Sequence, residues 1–121
     1  MVIDDRVKEC FSCFDQGQYC DAIMALVEGA KVSMAKHSGW VDGGVRDALG
    51  EVVSRVIRLV ETYDRMGRYD DAYVRMIKLD QGIRCWNENV HPAYRMSFTP
   101  EQEAMFRRSM ENLSGDPFEE F

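Results

Sequence analysis

Residues 14–22 (FDQGQYCDA) and residues 64–72 (DRMGRYDDA) carry nearly the same sequence, with the shared skeleton Gly-(Gln/Arg)-Tyr-x-Asp-Ala. Glycine readily adopts the left-handed backbone conformation that ends a helix. The polar or acidic residues that follow it, together with Ala, suit the first turn of the next helix. Each stretch therefore predicts the turn of a helical hairpin, and two such turns predict a chain built from hairpins.

Apolar residues recur at helical spacing on both sides of each turn. This periodicity predicts helices over about residues 3–16, 19–36, 45–66 and 69–86. A fifth, short helix is predicted from Pro100 to about Asn112, because Thr99 is a candidate N-cap and Pro100 suits the first helical position. Residues 37–44 contain three Gly and are predicted to form a loop, with Trp40 packing back onto the fold.

We therefore predict an all-α fold of about five helices, comprising two hairpins and a short C-terminal helix. The chain has 121 residues, which is enough for one domain with its own core. We assign residues 1–113 to a single helical domain and residues 114–121 to an acidic flexible tail.

Composition narrows the function. The hydrophobic fraction of 45% and the charged fraction of 30% are typical of a globular protein. A net charge of −6 argues against nucleic-acid binding, which needs clustered Lys and Arg to neutralise phosphates. No apolar run approaches the length that spans a membrane, and the N-terminus lacks the layout of a signal peptide. We expect a cytoplasmic protein with no nucleic-acid or membrane partner.

The four cysteines predict neither a disulfide framework nor a metal site. Cys10, Cys13 and Cys20 lie in apolar periodic segments, and no secretory signal accompanies them. The Cys10-x-x-Cys13 pair has no second cysteine pair, and the histidines are distant in sequence. We interpret these thiols as reduced core residues, and we expect no cofactor and no metal.

The paired turns resemble those of the tetratricopeptide repeat, in which two antiparallel helices per repeat stack into a superhelix. The second copy matches at Gly67, Tyr69 and Ala72, and the first at Gly17 and Tyr19 among other positions. The equivalent glycines are fifty residues apart, whereas the family period is about 34. The resemblance implies two divergent hairpins whose first helices present a concave face to a peptide or helix of another protein.

That face maps onto apolar and basic residues, which the resemblance implies are partner-binding: Val7, Phe11, Phe14, Ile57, Arg58 and Arg65. The apolar positions make a clamp for a terminal carboxylate doubtful. They suit an amphipathic helix or an apolar peptide that carries some acidic residues, with Arg forming charge-assisted hydrogen bonds at the edge. The alternative is that Val7, Phe11 and Ile57 pack against the fifth helix or are core, and that the arginines are solvated or paired with Glu61.

The end of the chain, residues 114–121 (SGDPFEEF), joins carboxylates to Phe118 and Phe121. Aromatic side chains can fill a pocket while carboxylates meet Arg or Lys, so this segment is a candidate recognition peptide. A solubilising end is one alternative, and docking onto the Arg58 and Arg65 region of the same chain is another.

These observations predict a non-catalytic protein-binding module, chaperone-like or adaptor-like. The alternative is a stoichiometric inhibitor or a homodimeric structural protein that acts through its acidic surface. A third hypothesis is a helical ribonuclease using Arg84 and His91, whose spacing is similar to a motif of small helical ribonucleases. No catalytic signature supports an enzyme, and we interpret His91 as a loop or cap residue.

Overall fold

The computed structural model describes residues 3–113, and its fold is all-α. The five α-helices are α1 (Ile3–Asp15), α2 (Tyr19–Lys36), α3 (Gly43–Arg65), α4 (Tyr69–Asn89) and α5 (Pro100–Glu111), with a 3₁₀ turn at Pro92–Tyr94. The prediction of about five helices is confirmed. Within the described part, none of the helices is both long and apolar enough to cross a membrane.

The two similar stretches form the same turn. Gly17 and Gly67 have φ angles of 76° and 72°, the left-handed conformation that glycine tolerates best. The amide after each glycine donates to the carbonyl five residues earlier, at 2.9 Å for Gln18 to Cys13 and 2.8 Å for Arg68 to Tyr63. With the glycine amide bonding three residues back, this is the Schellman pattern of helix termination. Since each turn is short, α1–α2 and α3–α4 are antiparallel hairpins.

The two hairpins pack against each other through both of their helices. Helix α2 contacts α1, α4 and α3, while α1 also contacts α3, so the four helices enclose one core. Within α2 the apolar residues Ile23, Leu26 and Val27 are buried, and Ala22 and Ala72 of the two repeated stretches are completely buried. Small side chains at these positions let the helices of each hairpin approach closely. Helix α5 packs on α4 and more weakly on α3.

A close approach between the hairpins occurs at Gly82 of α4. A methyl group added there would lie 2.7 Å from Ile23 Cδ1 and 3.0 Å from Ile23 Cβ, closer than carbon atoms pack. Ile23 is fully buried and cannot turn away without disturbing the core. The absence of a side chain at position 82 therefore allows the observed separation between α2 and α4.

The loop between the hairpins differs from its prediction. Trp40 does not pack back onto the fold, because 67% of its surface is exposed. Hydrogen bonds between side chains and backbone groups hold the loop in place instead. The hydroxyl of fully buried Ser33 donates to the Trp40 carbonyl at 2.8 Å, and Asp42 accepts from the amides of Gly44 and Val45 as the N-cap of α3.

Helix α5 begins where its sequence predicts. Thr99 Oγ1 accepts from the Gln102 amide, and the Gln102 side chain accepts from the Thr99 amide, which is a complete capping box. At the other end, Arg108 forms an ion pair with Asp64 of α3 at 2.7 Å. The carboxylate is 10% exposed and also lies 3.4 Å from the Ser109 hydroxyl. This contact fixes the end of α5 beside the end of α3.

We predict opposite effects for two glycine substitutions in helix interiors. Gly82→Ala should destabilise the protein by about 1–3 kcal/mol, because the new methyl overpacks against Ile23. Gly50→Ala should stabilise it by up to about 1 kcal/mol, because nothing lies within 4 Å of its new methyl and Ala favours the helix. Urea unfolding followed by circular dichroism measures both, and equal shifts for the two variants would contradict the packing at Gly82.

Candidate functional site

An open depression of about 290 Å³ lies between α1 and α3, the first helices of the two hairpins. We call it the α1/α3 groove, and it is lined by Phe14, Arg55, Arg58, Leu59 and Thr62. Its floor is apolar, since Phe14 and Leu59 are partly exposed residues that pack on the core. Its rim carries two guanidinium groups, so the groove can accept an apolar side chain that is flanked by a carboxylate.

Arg55 has a structural role in this groove. Its Nε donates to Glu51 at 2.7 Å, and its guanidinium carbon lies 5.6 Å and 5.7 Å from the ring centres of Phe11 and Phe14. Stacking on aromatic rings and pairing with a carboxylate both orient the guanidinium. Arg55 therefore ties α3 to α1, and its charge is already balanced.

Arg58 and Arg65 are different, since both are exposed and neither forms an ion pair within residues 3–113. Glu61 lies one turn from each and is exposed without binding either. The backbone carbonyl of Arg58 accepts from the Thr62 hydroxyl at 2.9 Å. Arg55, Arg58, Thr62 and Arg65 are spaced by three, four and three residues, so they follow one stripe along α3.

The structure brings only part of the predicted partner-binding set to this surface. Phe14 and Arg58 line the groove together, Phe11 lies beneath Arg55, and Val7 is a partly buried residue of α1. Ile57 is a correction, because it is 6% exposed and belongs to the core. Helix α3 contacts α1, α2, α4 and α5, which makes its buried stripe wider than the first-helix pattern implies.

The remaining predicted residues lie elsewhere. Arg65 is the last residue of α3, on the same stripe as Arg58 but beyond the groove lining. Phe118 and Phe121, with the rest of the assigned tail, lie outside the described residues.

Sequence reasoning missed the contributions of Arg55, Leu59 and Thr62. Leu59 lies in the apolar stripe of α3, a position that by itself predicts a core residue, but part of its surface is open. The spacing of Arg55, Arg58 and Arg65 indicates that the three arginines share one face of α3. The contact of Arg55 with the rings of α1 joins residues 44 and 41 positions apart, which periodicity within one helix cannot reveal.

The described part of the chain has further depressions besides the α1/α3 groove. One of about 210 Å³ lies between the start of α3 and residues 93–96, and it includes Arg46 and Arg95. Arg46 stacks on Tyr94 at 5.1 Å, and Asn87 holds residue 96 through hydrogen bonds to its amide and carbonyl. These contacts hold residues 93–96 against α3 and α4, so we interpret the cleft as structural.

Another depression, of about 340 Å³, lies between α1 and α2 and is predominantly acidic. Glu9, Asp21 and Glu28 surround the half-exposed Met24, and Arg6 forms an ion pair with Glu9 at 2.9 Å. Although it is larger than the α1/α3 groove, no aromatic residue lines it, so it offers a weaker anchor for a partner.

Three of the cysteines have thiols whose pKa values are raised. Burial raises the pKa of Cys10 to about 12, with a smaller effect from Cys13. The pKa values of Cys13 and Cys20 are also raised, by burial first and then by Asp21. Within residues 3–113, no group of three His, Cys, Asp or Glu side chains is arranged to hold a metal ion.

Arg84 and His91 do not share a helix. Arg84 lies on α4, where it pairs with Asp80 at 2.9 Å, whereas α4 ends at Asn89. His91 is the N-cap of the 3₁₀ turn, and its Nδ1 accepts from the Ala93 amide at 3.1 Å. The interpretation of His91 as a cap residue is confirmed.

Comparison of the chain with protein-family models, with curated proteins and with solved structures finds no significant match to any of them.

We predict that Cys10 resists alkylation in the folded protein. At pH 8 iodoacetamide should modify Cys20 and Cys85, which are partly exposed, well before Cys10, which is fully buried. Between pH 9 and about 12 the unfolded thiol loses its proton while the folded one retains it, so Cys10 should lower stability as pH rises through this range.

Peptide mass spectrometry of a time course measures the order of alkylation. Protein unfolded in guanidinium is the control, in which the four cysteines should react at similar rates. Alkylation of Cys10 in the folded protein as fast as Cys20 would contradict its burial.

Proposed function

We propose that this protein is a non-catalytic binding module that holds a segment of another protein in the α1/α3 groove. The segment is an amphipathic helix or an apolar peptide that presents an aromatic side chain next to a carboxylate. The observation that carries the proposal is Arg58, a cation without an ion-pair partner within residues 3–113, at the rim of an apolar groove.

The chemistry of the groove favours such a segment. Burying an aromatic side chain against Phe14 and Leu59 contributes roughly 1.5–3 kcal/mol. A carboxylate that accepts from Arg58 adds a charge-assisted hydrogen bond and fixes the orientation of the segment. The walls come from two hairpins braced by Arg55, so the site is formed before the partner arrives.

The tetratricopeptide resemblance agrees with this location, because that family binds partners along its first helices. On this proposal the protein is chaperone-like or adaptor-like and acts in the cytoplasm without a cofactor. Membership of the family is itself a proposal, supported by the two equivalent turns at Gly17 and Gly67.

The acidic depression between α1 and α2 favours the second function, an inhibitor or homodimeric protein that acts through its acidic surface. Met24, 46% exposed between Asp21 and Glu28, is the contact that such a partner would cover. That partner would carry basic rather than acidic residues, so the two functions differ in the charge of the ligand they select.

Selection from a random peptide library displayed on phage, with the full chain as the target, tests the proposal. We expect enrichment of peptides that combine an aromatic residue with Asp or Glu. Arg58→Glu should weaken synthetic versions of these peptides by about tenfold or more, because it removes a charge-assisted bond and adds a repulsion.

Lys78→Glu is the matched control. It makes the same change in charge at an exposed residue of α4 outside the groove lining, and it should leave the affinity unchanged. Enrichment of basic peptides would favour the acidic surface instead. Binding that survives Arg58→Glu would overturn the groove as the site.

A further inference from the structure

Arg58 and Arg65 are two cations that form no ion pair within residues 3–113. They are seven residues apart on α3, which places them on the same face and about 10.5 Å apart along the helix axis. Thr62 and the apolar part of the α1/α3 groove lie between and beside them. A ligand that satisfies both therefore needs two negative charges about 10 Å apart with an apolar side chain between them.

The chain itself contains a segment with this pattern, residues 116–121 (DPFEEF). Asp116 and Glu119 are three residues apart, and in polyproline II backbone, which has three residues per turn and rises about 3.1 Å per residue, their side chains would lie on the same side about 9 Å apart. Pro117 restricts the residue before it to extended backbone, which favours this spacing. Phe118 lies between the two carboxylates in sequence.

The C-terminal end of α5, from which this segment continues, lies close to Arg65. Arg108 and Ser109 contact Asp64, next to Arg65, so the last turn of α5 lies at the end of α3. From Leu113, three residues reach Asp116 and six reach Glu119, and an extended chain spans at most about 20 Å in six residues. Arg58 lies about 9 Å along the helix from Asp64, which is within that reach.

We propose that residues 116–121 bind along α3 of the same molecule, with Asp116 at Arg65, Glu119 at Arg58 and Phe118 in the α1/α3 groove beside Phe14. The segment runs antiparallel to α3 and occupies the site that the proposed function assigns to a partner. It thereby acts as an internal competitor, and a partner must displace it. This inference rests on the groove of the proposed function but not on any partner.

Nuclear magnetic resonance of the full-length protein tests the contact. Glu119→Lys combined with Glu120→Lys should shift the amide signals of Phe14, Leu59 and Thr62 and the side-chain Nε signal of Arg58. Glu88→Lys combined with Glu111→Lys is the control, with the same change in charge at exposed residues near helix ends. The control should leave the groove signals in place.

A charge exchange provides the sharper comparison. Arg58→Glu and Glu119→Arg should each release the segment, whereas the two together should restore the contact and return the Phe118 amide toward its original position. The shifts should not depend on protein concentration. Groove signals that do not respond to the Glu119 and Glu120 changes would overturn the proposal, as would shifts confined to the cleft of Arg46 and Arg95 or a dependence on concentration, which would indicate a second copy.

Peptides selected for groove binding separate this proposal from the proposed function. They should bind the Glu119→Lys, Glu120→Lys variant several-fold more tightly than the natural chain. Equal affinity for both proteins would reject the internal competitor and leave the groove as a binding site. The absence of any binding peptide would count against the proposed function, while the magnetic resonance comparison would still decide whether the segment docks.

Discussion

The close approach of α4 to α2 at Gly82 is the constraint on which the arrangement of the two hairpins depends. Each hairpin is closed locally by its own glycine turn, but nothing in those turns relates one hairpin to the other. One contact that relates them is the packing of Gly82 on Ile23, which leaves no room for a larger residue at this separation. The walls of the α1/α3 groove belong to different hairpins, so its width depends on how the two hairpins pack.

The arginines of the α1/α3 groove have two different roles, one structural and one available for binding a ligand. Arg55 is oriented by two aromatic rings and Glu51, so its charge contributes to holding α1 and α3 together. Arg58, three residues later, has no ion pair or aromatic ring contact among residues 3–113 and keeps its capacity for a ligand. Two arginines on the same helical stripe thus differ in role because of what lies opposite each one.

Local sequence predicted most of the fold. Glycine stereochemistry, capping at Thr99 and apolar periodicity are properties of neighbouring residues, and they placed the turns and helices with errors of a few residues. Features that depend on contacts between residues distant in sequence were harder to predict. Asn87, near the end of α4, forms hydrogen bonds to the backbone of residue 96, nine positions away. Ile57 is buried because α3 has neighbouring helices on several sides. The groove was located through the resemblance, while its bracing by Arg55 required three-dimensional contacts.

The exposed position of Trp40 has a consequence for observing this molecule in solution. The chain has two tryptophans, and the other, Trp86, is 1% exposed and donates its indole N–H to the Tyr94 carbonyl at 2.8 Å. Emission from Trp40 is therefore red-shifted and open to collisional quenching by iodide, whereas emission from Trp86 is blue-shifted and shielded. One fluorescence spectrum thus contains two natural probes, one for the loop that joins the hairpins and one for the integrity of the core.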